Sequence, residues 1–114
     1  MTPELGLIEG FFGRPWSWAD RREAVRFLGP RGYRFYLYAP KADALLRRRW
    51  REPFPAEEQA ELTAFGAACR EAGLRFGVGL TPYELHLHPD SGWQAAMAAK
   101  VAELDRAGAD DLAI

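Results

Sequence analysis

The chain has a single cysteine, Cys69, in 114 residues. That excludes an internal disulfide and leaves the redox compartment open. Lysine is nearly as scarce, with only Lys41 and Lys100, so arginine carries most of the positive charge. Fifteen basic residues stand against sixteen acidic ones, for a formal charge of -1. No net basic field points to nucleic acid or an anionic membrane surface as partner. No apolar run approaches the ~18 residues of a membrane span. The N-terminus has no basic stretch leading into an apolar one, so the expected location is the cytoplasm. A phosphate cradle is missing too: GFFG lacks the GxGxxG spacing, and no GK[ST] follows an apolar run. What remains is ordinary for a soluble domain, 48% hydrophobic and 27% charged residues in a length that suits one small core.

The organisation is repetitive. Three stretches share a grammar of helix, glycine, then apolar run: LGPRGYRFYLYAP (28–40), REAGLRFGVGLTP (70–82) and DRAGADDLAI (105–114). Gly32, Gly73 and Gly108 suit the left-handed position that closes a helix. The runs after them read as buried strands, and Leu5 to Glu9 reads as a strand ahead of all three. Ser17 is a good N-cap for a first helix whose Val25 and Leu28 face inward, and Asp20 three residues on makes a weak capping box. A second helix follows Pro53-Phe54-Pro55, with Leu62, Phe65, Cys69 and Ala72 at helical spacing. A third places Trp93, Met97, Val101 and Leu104 on one stripe. All three stripes read as core, and Cys69 as a packed thiol.

Alternating βα units predict a parallel sheet with right-handed crossovers. An open doubly wound sheet and a barrel both satisfy that pattern. A (β/α)₈ barrel needs about 200 to 250 residues, and DLAI ends the chain in what reads as mid-strand. The expected architecture is therefore the N-terminal half of a (β/α)₈ barrel, about three and a half βα units over residues 1–114.

In either architecture, ligands bind at the carboxyl ends of the strands. That rule gathers Gly10 to Trp16 after strand one, Ala39 to Asp43 after strand two, and Thr81 to His88 after strand three. Lys41 stands directly after Pro40, in a sterically restricted loop. His86 and His88 have a spacing that suits metal ligands, but no cysteine or HExxH frame accompanies them, and no metal is expected. Asp110-Asp111 has the look of an acid/base pair. It precedes a strand, however, at the end opposite the candidate site, so it reads as structural.

Three blocks in register, IEGFFGRPWSW (8–18), YLYAPKAD (36–43) and RRRWREPFP (47–55), resemble the family 84 glycoside hydrolases, which include O-GlcNAcases and enzymes once called hyaluronidases. The resemblance implies a barrel enzyme that removes terminal N-acetylglucosamine without metal or cofactor. The substrate's own acetamido oxygen would attack the anomeric carbon and give an oxazoline, an exception to the two-carboxylate scheme. It also implies that the Gly10 backbone carbonyl and the Lys41 amine meet sugar hydroxyls, with Phe12 on the pocket wall where the family usually has Tyr. Ala42 replaces an aspartate of the family pattern, and Leu45-Leu46 replace part of a polar run. The family's catalytic aspartate pair follows strand four, and these 114 residues do not include it. The expected partner is an N-acetylglucosamine-containing glycan or glycoconjugate, and the chain alone is expected to bind sugar without turnover. The alternative is a non-catalytic half-barrel that binds glycan or self-associates through exposed strand edges.

Overall fold

The computed structural model describes residues 3–87 and 90–114. Four strands alternate with three α-helices: β1 (Leu5–Glu9), α1 (Trp18–Leu28), β2 (Tyr33–Tyr38), α2 (Ala56–Glu71), β3 (Arg75–Gly79), α3 (Trp93–Arg106) and β4 (Asp111–Ala113). All strand pairs are parallel, in the spatial order β1-β2-β3-β4. A doubly wound sheet would reverse its strand order at a switch point. This one advances in sequence order, as a barrel wall does.

Local chemistry sets the boundaries. The Asp20 amide donates to Ser17 Oγ at 3.1 Å and opens α1. Pro55 precedes α2, whose first turn carries Glu57 and Glu58 against the positive end of the helix. Gly32, Gly73 and Gly108 hold φ of +86°, +86° and +92°. In a left-handed conformation a side chain would be strained, so each turn from helix to strand needs its glycine.

The core lies between the sheet and the helices. Tyr36 and Tyr38 from β2 and Phe76 and Val78 from β3 pack against Val25, Leu62, Phe65 and Cys69. Phe65 meets Tyr36 and Phe76 edge-on, with centroids 4.9 and 5.6 Å apart. Burial pushes the Cys69 thiol up to about 12, so it stays protonated and packs as a small hydrophobe. Leu45 and Leu46 sit on a short 3₁₀ turn (Ala44–Leu46) and are buried, anchoring the loop after β2 in the same core.

One helix differs from its expectation. Val101 is 36% exposed, whereas Lys100, Glu103 and Leu104 are buried. The stripe is rotated because polar ties outrank one valine contact. Lys100 Nζ donates to the Glu52 carbonyl and to Glu103 Oε1, both at 2.7 Å. Glu103 Oε2 in turn accepts from the Phe54 amide at 2.8 Å. This buried pair joins α3 to the loop ahead of α2, and its members satisfy one another.

Candidate functional site

The ladder between β1 and β2 continues past the strands themselves. The Ala39 amide donates to the Glu9 carbonyl at 2.9 Å, and the Lys41 amide to the Phe11 carbonyl at 3.4 Å. Two loops of the candidate site are thereby held side by side. On the β3 side, the Thr81 amide donates to the Leu46 carbonyl at 2.8 Å. The three loops enclose a cavity of about 320 Å³ at the carboxyl end of the sheet, lined by Gly10, Lys41, Arg47 and Thr81 among others.

Gly10 has an informative environment. A Cβ there would meet Ile8 Cγ2 at 3.5 Å and the Ala39 carbonyl at 3.8 Å, both ordinary contacts, and its φ is not positive. The sheet glycines behave differently. A Cβ on Gly79 would lie 2.6 Å from the Ala39 Cβ, and one on Gly6 would overlap the Phe35 ring. Those two are glycine because the protein itself fills the space. At Gly10 the space opens into the cavity, which gives a ligand close access to the backbone.

Lys41 lines the same cavity, and its backbone is held from two sides. Its amide bonds Phe11, and its carbonyl accepts from Arg47 Nη1 at 2.8 Å. In the sequence Arg47 stood out only as the first residue of the block RRRWREPFP. Its Nε is buried without a hydrogen-bond partner among the described residues. The signal for its position was its spacing from Lys41, which only the intervening 3₁₀ turn makes meaningful.

Phe12 stands apart from Gly10 and Lys41. It is 78% exposed and does not line their cavity. Phe11 leans on Trp16 with centroids 5.5 Å apart, at an interplanar angle of 52°. His86 is exposed, and His88 lies outside the described residues.

Glu9, immediately before this loop, has a different task. It is fully buried and accepts from Arg21 Nε at 2.7 Å, Arg21 Nη2 at 2.8 Å and the Tyr36 hydroxyl at 2.7 Å. Burial opposes the Arg21 charge, but the hydrogen bonds and charge of Glu9 outweigh it and hold the guanidinium protonated. Arg21 also lies 4.3 Å from the Trp18 ring centroid. Asp43, beside Lys41, is likewise engaged: it caps the 3₁₀ turn through the Leu45 amide at 3.1 Å and accepts from the Tyr38 hydroxyl at 2.6 Å. Burial, reinforced by the Asp43 charge, pushes the Tyr38 phenol well above its usual range, so it remains a donor.

At the opposite end of the sheet, Asp110 and Asp111 are structural. Asp110 Oδ2 accepts from the Phe76 amide at 2.9 Å. Asp111 meets Arg75 Nε at 3.0 Å, and Arg75 Nη2 reaches Glu4 at 3.0 Å, tying β4, β3 and the segment before β1 together.

A family model described as beta-N-acetylglucosaminidase matches residues 5–114. Protein O-GlcNAcase of Rattus norvegicus is 40% identical over 77 residues, covering 68% of this chain, and that of Mus musculus gives the same figures. The chain spans 8% of the length of those relatives. Among solved structures, a mutant O-GlcNAc hydrolase of Thermobaculum terrenum superposes with a TM-score of 0.87 at 25% identity, covering 96% of this chain and 24% of that one. CpGH84B also gives a TM-score of 0.87, at 28% identity, covering 96% of this chain and 20% of that one.

Proposed function

Because this chain belongs to the β-N-acetylglucosaminidase family, we propose that it supplies the substrate floor of a glycosidase acting on terminal N-acetylglucosamine. The observation that carries this reading is the shared cavity of Gly10 and Lys41 at the carboxyl ends of the strands. A polar hexopyranose needs hydroxyl partners and close van der Waals approach together. The Gly10 carbonyl accepts a hydroxyl proton at a position with no side chain in the way. The Lys41 ammonium donates, from a backbone clamped by Phe11 and Arg47. In the retaining, substrate-assisted reaction that the resemblance implies, both groups hold the ring while its acetamido oxygen attacks the anomeric carbon. A carboxylate would orient that oxygen and a second would protonate the leaving group. The pair implied for these roles follows strand four and is not among these 114 residues, so this chain binds and does not turn over.

Titrating the chain with N-acetylglucosamine tests the reading, with amide chemical shifts as readout. Gly10 and Lys41 should move, and Gly10→Ala should lose the response while keeping its fold. A retained response in Gly10→Ala, or release of chromophore from an aryl N-acetyl-glucosaminide by the chain alone, overturns it. A second reading, self-association, is favoured by the edges of β1 and β4, each paired on one side only among the described residues. Sedimentation as a monomer at all concentrations would dispose of it.

A further inference from the structure

A second cavity, of about 440 Å³, lies on the helix side of the same rim. Its walls come from the loop before α1, the loop after β2 and the start of α2. The lining combines two indoles, Trp16 and Trp18, with Ser17, Asp43, Arg49 and Glu58. Trp18 is fixed from behind by stacking on Tyr38, with centroids 5.4 Å apart and planes 21° apart. Trp16 is half-buried, and Ser17, Arg49 and Glu58 are exposed around it. Asp43 is committed to Tyr38 and the 3₁₀ turn, but the Glu58 carboxylate has no hydrogen bond to another described residue. An apolar aromatic wall with a few hydroxyl-matching groups at its edge suits a pyranose, which has C–H faces and a polar perimeter.

The two cavities touch. Pro40 lines both, Lys41 lines the first, and Ala42 and Asp43 line the second. Ala42 is exposed and presents one methyl group where the family pattern has a carboxylate. A ligand crossing Pro40 from one cavity to the other therefore passes a small, uncharged side chain.

We propose that this cleft is a second glycan subsite, taking a further sugar unit of a glycan whose neighbouring residue is held by Gly10 and Lys41. The proposal rests on the function proposed above for the first cavity. Its test uses the ¹⁵N-labelled 114-residue chain with two probes, N-acetylglucosamine and tri-N-acetylchitotriose. The chain's tryptophans are Trp16, Trp18, Trp50 and Trp93. Trp50, buried in the core, and Trp93, on α3, act as internal controls. The trisaccharide should shift the Trp16 and Trp18 indole signals and the Gly10 amide, and the monosaccharide should shift Gly10 alone. Trp16→Ala, and the surface variant Glu58→Ala as a fold-safe companion, should weaken trisaccharide binding by about tenfold and threefold respectively, leaving monosaccharide binding unchanged. Trisaccharide shifts confined to Gly10 and Lys41 would overturn the second subsite and leave the first standing. Indole shifts without Gly10 would overturn the first site and, with it, this cleft as its neighbouring subsite. No shift at either place overturns both.

Discussion

The two faces of the sheet are built from alternate residues of the same strands, and they are made differently. On the helix side, Glu9, Tyr36, Tyr38, Phe76 and Val78 are buried, and the polar atoms of Glu9 and both tyrosines are paired. On the other side stand Gly6, Ile8, Phe35, Leu37, Gly77 and Gly79, with Ile8 62% exposed. The helix side holds the fold through aromatic packing and the buried Glu9–Arg21 pair, with Lys100–Glu103 tying α3 to the loop before α2. The other side is thin in side chains, with an Arg75 ion cluster at one end and the Gly10–Lys41 cavity at the other. Period-2 alternation thus separates the residues that pack the core from those that line the candidate cavity.

The largest test of that division is Arg21→Met. It leaves the Glu9 carboxylate buried with only Tyr36, and should cost about 3–5 kcal/mol, read as a fall in the urea midpoint. A midpoint near that of the parent chain would mean that the pair is not a mainstay of the helix side. Next comes a paired comparison of glycines. Gly79→Ala forces a Cβ against Ala39 and should cost about 1–3 kcal/mol. Gly10→Ala should stay within about 0.5 kcal/mol of the parent yet lose sugar binding. Equal losses of stability at both positions would erase the distinction between a glycine kept by packing and one kept for a ligand.

Tyr38→Phe removes the hydroxyl that Asp43 accepts and should cost about 1.5–3 kcal/mol in thermal unfolding. It should also broaden the amide signals of residues 41–47, because Asp43 is what fixes that turn. The smallest effect belongs to Arg75→Gln. The hydrogen bond and charge of Arg75 lower the Glu4 pKa below its ordinary 4.5. A carboxylate lowered on folding adds stability above its unfolded value, and loses it as pH falls through the folded one. The parent should therefore melt slightly above Arg75→Gln at pH 6, and the gap should close towards pH 3 or in molar salt. A gap that persists in acid would show that Arg75 acts through packing on Phe35 instead.

Much of this was legible in advance, for identifiable reasons. The three helix-closing glycines are forced by backbone sterics, and the apolar spacing of α1 and α2 reports burial directly. The pair Asp110-Asp111 was expected ahead of a strand; Asp110 precedes β4 and Asp111 opens it, and both lie at the far end, where they bond Phe76 and Arg75. The resemblance of three blocks pointed to the family that the whole-chain comparison supports. The rotation of α3 was not legible. Lys100 and Glu103 are ordinarily surface residues, and nothing local says that Phe54 and Glu52 will offer them backbone partners.

The sequence by itself determined the order of elements, their parallel sense and the end of the sheet on which the candidate residues gather, because these follow from local periodicity and connection rules. Tertiary structure alone decided what each residue near that end does. Adjacent Glu9 and Gly10 point to opposite sides of the wall, one into a buried ion pair and the other beside an open cavity. Asp43 became a cap, Arg47 a clamp on Lys41, and Phe12 an exposed ring. Several of these outcomes depend on partners distant in sequence, such as Tyr36 27 residues from Glu9 and Lys41 six from Arg47. Pairings of that kind are set by packing three-dimensional surfaces together, which no one-dimensional pattern records.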